Sequence, residues 1–219
     1  IYDLEQEPLS RFHDNIWDFS PSIHNRNVNK ARALIDFNCP LEDGSKLTDI
    51  NNHRFLKGVK EYLYTRNHVP HPRSGKTLAP QTLISKFYAS LTVINYLKRT
   101  NKACFSEFEA SDTSSFIAYV KERNPNLANN TLNKYLSVVE DFYHYIDRLS
   151  FGIANHPWPD SSSVHLSQDR KQNGARYEKQ TPCIPDYLAA SLFQQSVQYL
   201  EDNSKRITAC YSSLEKQLG

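Results

Sequence analysis

The triplet Gly75-Lys76-Thr77 is the first candidate for chemistry, because Gly-Lys-Thr also ends the phosphate loop of many nucleotide-binding proteins. That loop needs a second glycine five residues before the first of the triplet, and the chain has Pro70 there. Pro70 and Pro72 also lack the N–H groups that would contact a nucleotide phosphate. A nucleotide loop is therefore excluded, and Lys76 remains a candidate contact for another kind of phosphate.

Two predicted helices begin with cations accompanied by small hydroxyl and amide side chains. Backbone N–H groups at a helix start and nearby cations together favour phosphate oxygens, so this composition points to the backbone of DNA. The alternative is that these residues are ordinary helix caps and solvated lysines. If the DNA reading holds, both helix starts must lie on one surface. The candidate contacts are Lys76, Thr77, Thr82 and Lys86 in the first set and Asn130, Thr131 and Lys134 in the second.

Other residue patterns give weaker evidence for a metal site or a catalytic site. His68-x-x-His71 could supply two metal ligands, but prolines interrupt the segment and no cysteine or acid follows at a recognisable spacing, so we predict no metal and no cofactor. The acids from Glu107 to Asp112 lie at a predicted helix start, where negative charge complements the helix dipole. No G-x-S-x-G motif occurs, and no residue is predicted to be catalytic.

Composition sets broad limits. The chain has 219 residues, a formal net charge of +2 and four cysteines without a C-x-x-C pair, which indicates one large or two small domains with reduced thiols. No apolar run approaches the roughly 18 residues of a membrane span, and the N-terminus lacks a secretion signal, so we expect a soluble cytoplasmic protein. Because the chain starts with Ile1 and contains no methionine, we expect it to be part of a longer translation product.

Hydrophobic periodicity predicts an all-α protein. Apolar residues recur at helical spacing in five segments, most clearly from 130 to 149, and no period-two strand pattern is present. Residues 1 to 47 are rich in Asn, Asp, Pro and Ser, and we expect little regular structure there. Residues 155 to 180 have the composition of a linker. The predicted helices span about 48–66, 80–99, 111–124, 130–149 and 185–218, the last with a break near Asn203.

The stretch from Lys76 to about Pro159 resembles the core-binding domain of the tyrosine recombinase (phage integrase) family, a SAM-like helical bundle. The similarity rests on the order and spacing of short motifs over roughly 40 per cent of the chain. The family's closing Asn-Pro element is interrupted here by His156. The motifs are Thr77-Leu78-Ala79-Pro80-Gln81-Thr82-Leu83, Val93-Ile94-Asn95-Tyr96-Leu97, Ser111-Asp112-Thr113-Ser114-Ser115-Phe116-Ile117, Asn130-Thr131-Leu132-Asn133-Lys134-Tyr135-Leu136-Ser137, Phe142-Tyr143-His144-Tyr145-Ile146 and Ala154-Asn155-His156-Pro157-Trp158.

The resemblance implies an N-terminal extension with one helix at 1–75, a DNA-binding bundle at 76–159, a linker at 160–183 and the start of a catalytic domain at 184–219. It implies that the seven candidate contacts named above lie against double-stranded DNA, with further protomers allowed on the same DNA and no membrane involved. It also implies a cytoplasmic, nucleoid-associated protein of bacterial or phage origin. The linker residues that would follow the duplex are Arg170, Lys171, Arg176 and Lys179.

The family's strand-breaking chemistry needs an arginine, a lysine, a His-x-x-Arg pair and a tyrosine nucleophile. None of the eight histidines is followed by arginine at the third position, so we expect these residues to bind DNA without cleaving it. One alternative from another class is a helical protein-interaction module that does not bind DNA. A helix-turn-helix repressor is less consistent, because residues 124–129 make a longer connection than the usual tight turn.

Overall fold

The computed structural model describes residues 9–23, 33–72, 75–168 and 186–218. The chain divides into two compact units, Ile1–Lys171 and Gln172–Gly219. The described residues are mostly helical, as the sequence predicts, and include two short strands. The elements are β1 (Ile16–Asp18), β2 (Leu34–Asp36), α1 (His53–His68), α2 (Pro80–Arg99), α3 (Asp112–Arg123), α4 (Asn129–His144), α5 (Ser163–Ser167) and α6 (Asp186–Leu218).

The four longer helices of the first unit follow the predicted periodicity, and the bounds of α2 agree with those predicted. Pro80 occupies the first turn of α2, where a missing N–H costs no helical hydrogen bond. Helix α4 ends earlier than predicted and is followed by a 3₁₀ turn at Ile146–Arg148. The Phe142 carbonyl accepts a hydrogen bond from Ile153 N–H at 3.1 Å, so the returning chain occupies an acceptor that a longer helix would use.

The N-terminal segment shares the core of the helices. Strands β1 and β2 pair antiparallel, with Trp17 opposite Ile35, and both side chains are buried. Phe37 is fully buried and contacts Phe87 of α2 with ring centroids 5.3 Å apart. Each strand has only three residues, too few to show a period-two pattern in the sequence. The described part of 1–75 and the predicted bundle at 76–159 therefore form one core, without a division at residue 75.

Helices α1 and α4 meet through a stack of aromatic rings. Phe105, from the connection before α3, lies flat on Phe142 of α4 with ring centroids 3.9 Å apart. Gly58 of α1 permits this approach, because a Cβ atom there would lie 3.1 Å from Phe105 Cδ2. Phe55 of α1 contacts the Phe105 ring in an edge-on arrangement. These contacts bury large apolar surfaces between elements that are distant in sequence.

The second unit contains α6, which is a single helix of 33 residues. The break predicted near Asn203 is not present, since α6 continues through this residue, whose side chain donates a hydrogen bond to the Tyr199 carbonyl. Several large apolar side chains of α6 are exposed, among them Phe193 and Leu200. In the part of the chain that the structure describes, no helix combines the length and apolar character needed to cross a bilayer.

The segment predicted as a linker from residue 160 begins with packed structure. Helix α5 contacts α4, and Ser163 Oγ donates a 2.7 Å hydrogen bond to Glu140. Residues 160–168 therefore belong to the first unit. Residues 169–185 lie outside the described residues.

We expect Phe37→Ala to lower the free energy of unfolding of the first unit by about 3–5 kcal/mol, the usual cost of truncating a buried phenylalanine. Because Phe37 packs on α2, the loss of helical circular dichroism in urea should shift together with tryptophan fluorescence. Phe193→Ala, which changes an exposed ring of α6, is the control and should alter stability by less than about 0.5 kcal/mol. An unchanged helical transition in Phe37→Ala would show that the N-terminal segment folds apart from the helices.

Candidate nucleic-acid interface

The starts of α2 and α4 lack the usual side-chain caps. Their cap residues are Ala79 and Ala128, neither of which provides a capping hydrogen bond, and neither helix has an acid in its first turn. The starts of α1 and α3 also lack a capping side-chain hydrogen bond, although α3 has Asp112 in its first turn, whereas in α5 Ser162 accepts a hydrogen bond from His165 N–H. The first N–H groups of α2 and α4 are thus not capped by a side chain, and each helix start retains its partial positive charge.

Five of the seven predicted contact residues that the structure describes are exposed. Lys76, Thr77, Thr82, Asn130 and Lys134 are exposed. Among the residues that the structure describes, the ammonium groups of Lys76 and Lys134 have no hydrogen-bond or ion-pair partner. The Lys76 and Lys134 side chains can therefore reach a ligand without first breaking a contact to another described residue.

Thr131 is half-buried, and its hydroxyl donates a 3.3 Å hydrogen bond to Asn130 Oδ1. Four further predicted DNA contacts lie outside the described residues, namely Arg170, Lys171, Arg176 and Lys179.

Lys86 has a different environment from the other predicted contacts. Its ammonium donates hydrogen bonds to Ser137 Oγ at 2.8 Å and to Asp141 Oδ2 at 2.9 Å, and its side chain is only 13% exposed. Both acceptors lie on α4, so Lys86 joins α2 to α4. An ammonium group engaged in this way is not presented to solvent, and Lys86 is therefore not part of the candidate interface.

Asp141 is the centre of the buried polar cluster that Lys86 enters. Its carboxylate accepts a 2.8 Å hydrogen bond from the Tyr62 hydroxyl and lies 3.6 Å from both Arg66 Nε and His71 Nε2. Burial alone would raise the pKa of Asp141, but Lys86, His71 and Arg66 outweigh it and hold the pKa below its ordinary value. The carboxylate is therefore ionised at neutral pH and ties three helices to the loop before α2.

The same cluster affects its tyrosines. Burial and the adjacent Asp141 carboxylate raise the pKa of Tyr62 well above its usual value. Burial also raises the pKa of Tyr145, whose hydroxyl accepts a hydrogen bond from Arg66. Neither hydroxyl has the lowered pKa that an activated tyrosine nucleophile requires. The cluster connects α1, α2 and α4 through hydrogen bonds and ion pairs.

Sequence reasoning missed this cluster. The available signal was the acidic pair Glu140-Asp141, which interrupts the strongest apolar periodicity of the chain between Val139 and Phe142. An ionised group at such a position needs a partner, because an unpaired buried charge is costly. The identity of that partner could not be derived, because Tyr62 and Asp141 are 79 residues apart in sequence.

The loop that leads into α2 is fixed beside the C-terminal half of α4. His71 N–H donates to the Lys76 carbonyl at 2.9 Å and Gly75 N–H to the His71 carbonyl at 2.8 Å, while Gly75 has φ +64°, a left-handed conformation that favours glycine. Because His71 also reaches Asp141, this loop lies about 18 Å along the α4 axis from Asn129, at 1.5 Å per residue. The loop before α2 and the start of α4 therefore lie at different positions along α4.

The two sets of candidates nevertheless flank the same contact between the helices. Thr82 is four residues before Lys86 on α2, and Lys134 is three residues before Ser137 on α4, so each lies on the helical face that carries the Lys86–Ser137 hydrogen bond. Lys76 belongs to the loop held at Asp141. We call this the α2–α4 surface, defined by Lys76, Thr77, Thr82, Asn130 and Lys134.

The charge beneath this surface does not oppose a polyanion. The Asp141 carboxylate is 6% exposed and is adjacent to both Lys86 and Arg66. Its negative charge is therefore paired with buried cations and is not presented to solvent.

The His68-x-x-His71 pair does not form a metal centre. The His68 ring stacks on Tyr64 at a centroid distance of 4.3 Å, whereas His71 turns toward Asp141. Over residues 9–23, 33–72, 75–168 and the described part of α6, no group of three His, Cys, Asp or Glu side chains is arranged to hold a metal ion.

Comparisons with known proteins give no relative. No protein-family model, no curated protein and no solved structure matches the chain. The resemblance to the tyrosine recombinase core-binding domain is therefore carried by the residues and their spacing alone.

We expect Asp141→Asn to lower the free energy of unfolding at pH 7 by about 3–5 kcal/mol, because Lys86 and Arg66 would remain buried without their counter-ion. Urea unfolding would measure the difference. Asp147→Asn is the control, since Asp147 is exposed and has no ion-pair partner among the described residues.

The pH dependence follows from the lowered pKa of Asp141. A carboxylate with a lowered folded pKa contributes stability above its unfolded value of about 3.9, and that contribution is lost as the pH falls further. The gap between wild type and Asp141→Asn should therefore be full at pH 7 and shrink below about pH 4. Equal stability of the two proteins at pH 7 would contradict the structural role of Asp141.

Proposed function

We propose that this chain binds double-stranded DNA through the α2–α4 surface, as the DNA-clamping portion of a tyrosine-recombinase-like protein. The observation that carries the proposal is the pair of helix starts without side-chain caps, each accompanied by a free lysine. The resemblance of residues 76–159 to a core-binding domain supports the same function independently of that geometry.

The chemistry of the surface suits a phosphate backbone. Uncapped N–H groups and the ammonium groups of Lys76 and Lys134 favour phosphate oxygens. Thr77, Thr82 and Asn130 add short polar groups that can fix the position of the protein on the duplex.

In this proposal the chain binds and positions DNA. The His-x-x-Arg pair that the resemblance associates with strand breaking is absent from this sequence. Any breaking and joining of strands would need catalytic residues from outside this sequence.

A protein-interaction module is the second candidate, and one observation favours it. Helix α6 exposes several large apolar side chains, including Phe193, Tyr199 and Leu200. Exposed apolar groups concentrated on one element are typical of a surface that another protein covers. This candidate predicts no salt-dependent affinity for DNA, whereas the first one requires it.

We expect the logarithm of the affinity for a short DNA duplex to fall linearly with the logarithm of the salt concentration. Lys76→Ala and Lys134→Ala should each weaken binding and reduce the magnitude of that slope by about one, because each removes one phosphate contact. Fluorescence anisotropy titrations at several salt concentrations would measure both quantities.

Lys121→Ala is the matched control, because Lys121 is an exposed lysine on α3 without an ion-pair partner in the described part of the chain. Its slope should equal that of the wild type. Equal slopes in all three variants, or affinity that does not depend on salt, would refute DNA binding through the α2–α4 surface.

A further inference from the structure

Helix α6 carries an apolar stripe with a strict seven-residue repeat. From Phe193 to Leu218, apolar residues recur at alternating steps of four and three, and only Ser204 interrupts them. A repeat of 3.5 residues held for more than three heptads is typical of a helix that coils around another helix. We call these positions the α6 stripe, namely Phe193, Val197, Leu200, Ser204, Ile207, Tyr211, Leu214 and Leu218.

The α6 stripe is uncovered where the structure describes its side chains. Phe193, Leu200 and Tyr211 are 72%, 63% and 68% exposed, respectively. The hydroxyl of Ser204 donates a 3.0 Å hydrogen bond to the Glu201 carbonyl of the same helix. A partner can therefore cover this part of the stripe without leaving the Ser204 hydroxyl unpaired.

The repeat and length of the stripe identify its partner as a long helix. Because a straight α-helix has 3.6 residues per turn, a stripe of period 3.5 stays in contact only with a helix that winds around it. The stripe runs for about 38 Å at 1.5 Å per residue. Within the described ranges the next longest helix, α2, has 20 residues and buries its apolar side chains, such as Leu83 and Phe87, in the first unit. The α6 helix of a second copy has the matching length and repeat.

The charges beside the stripe are compatible with a second copy. In a coiled coil, opposite charges at the positions that flank the apolar residues select the partner. One flank of the stripe is neutral throughout, with Ser196, Asn203, Cys210 and Gln217, and the other flank has two acids, Glu201 and Glu215. In a parallel pair of α6 helices, the acidic flank of each lies against the neutral flank of the other. No like charges meet, and no charge pattern selects a different helix.

The stripe is also large enough for a stable pair. An apolar side chain of this size loses roughly 60–120 Å² of accessible surface when it is covered. The seven apolar residues of the stripe, taken from two copies, would together bury roughly 800–1,700 Å². This area overlaps the range of about 1,200–2,000 Å² that stable, specific interfaces bury.

We infer that α6 forms a parallel coiled coil with the α6 helix of a second copy of this chain, through the α6 stripe. The chain is then a dimer in the absence of any ligand. This inference does not depend on DNA binding.

Sedimentation equilibrium of the whole chain without DNA, at about 1–100 μM, would measure the dissociation constant of the dimer. The mass should approach about 51 kDa, twice the 25.3 kDa of one chain. Leu200→Ala and Tyr211→Ala should each raise the dissociation constant by more than about tenfold, because each removes a large apolar group from the centre of the interface.

Leu192→Ala and Tyr199→Ala are the matched controls. They replace the same residue types on the same helix at positions that are 52% and 69% exposed but lie outside the stripe. Both should keep the wild-type dissociation constant. All four variants introduce alanine, the residue most favourable to a helix, so loss of helix does not account for a difference between them.

Two results would overturn this inference. One is a mass that stays near 25.3 kDa at every concentration. The other is a dimer that the stripe variants weaken no more than the controls do, since association would then use another surface. Tryptophan fluorescence in urea should show the same unfolding of the first unit in every variant, because both tryptophans, Trp17 and Trp158, lie in that unit. The salt dependence of DNA binding remains a separate test of the proposed function.

Discussion

A single buried carboxylate connects the parts of the first unit on which the candidate interface depends. Asp141 of α4 is bonded to Tyr62 of α1 and Lys86 of α2 and lies close to Arg66 of α1 and His71 of the loop that leads into α2. Elements from four places in the sequence are thereby held in one arrangement. Moving these groups apart would leave buried charges without a partner, which is costly, so the cluster fixes the relative positions of the elements. The positions of Lys76 and of the start of α2 follow from it.

The cluster also affects the charge that the proposed α2–α4 surface carries. A carboxylate beside the loop that leads into α2 would ordinarily repel phosphate, but the Asp141 carboxylate is buried and paired with Lys86 and Arg66. The two helix starts remain without side-chain caps or first-turn acids. Leaving those N–H groups to solvent gives up about 1 kcal/mol per missing cap, a cost that an anionic ligand would offset. The buried Asp141 cluster thus stabilises the first unit, while the starts of α2 and α4 keep N–H groups that no side chain caps.

The helices could be predicted from local pattern, because their apolar residues recur at helical spacing and their limits are marked by residues such as Pro80 and Pro125. The early end of α4 could not, because it depends on a hydrogen bond from Ile153, whose position is set by the returning chain. The packing of the N-terminal segment was also not predictable. Its strands are three residues long, and Phe37 is buried only because α2 lies against it.

The amino-acid sequence by itself determined the helical class, the limits of α2 and α3, and which polar residues lie near the helix starts, since these depend on neighbours within a few turns. Only the tertiary structure decided which of those residues are free: Lys86 and Lys134 have similar local surroundings in sequence, yet one is paired with Asp141 and the other is exposed. The physical reason is that burial and ion pairing depend on side chains brought together from distant positions. Local pattern carries no information about those partners.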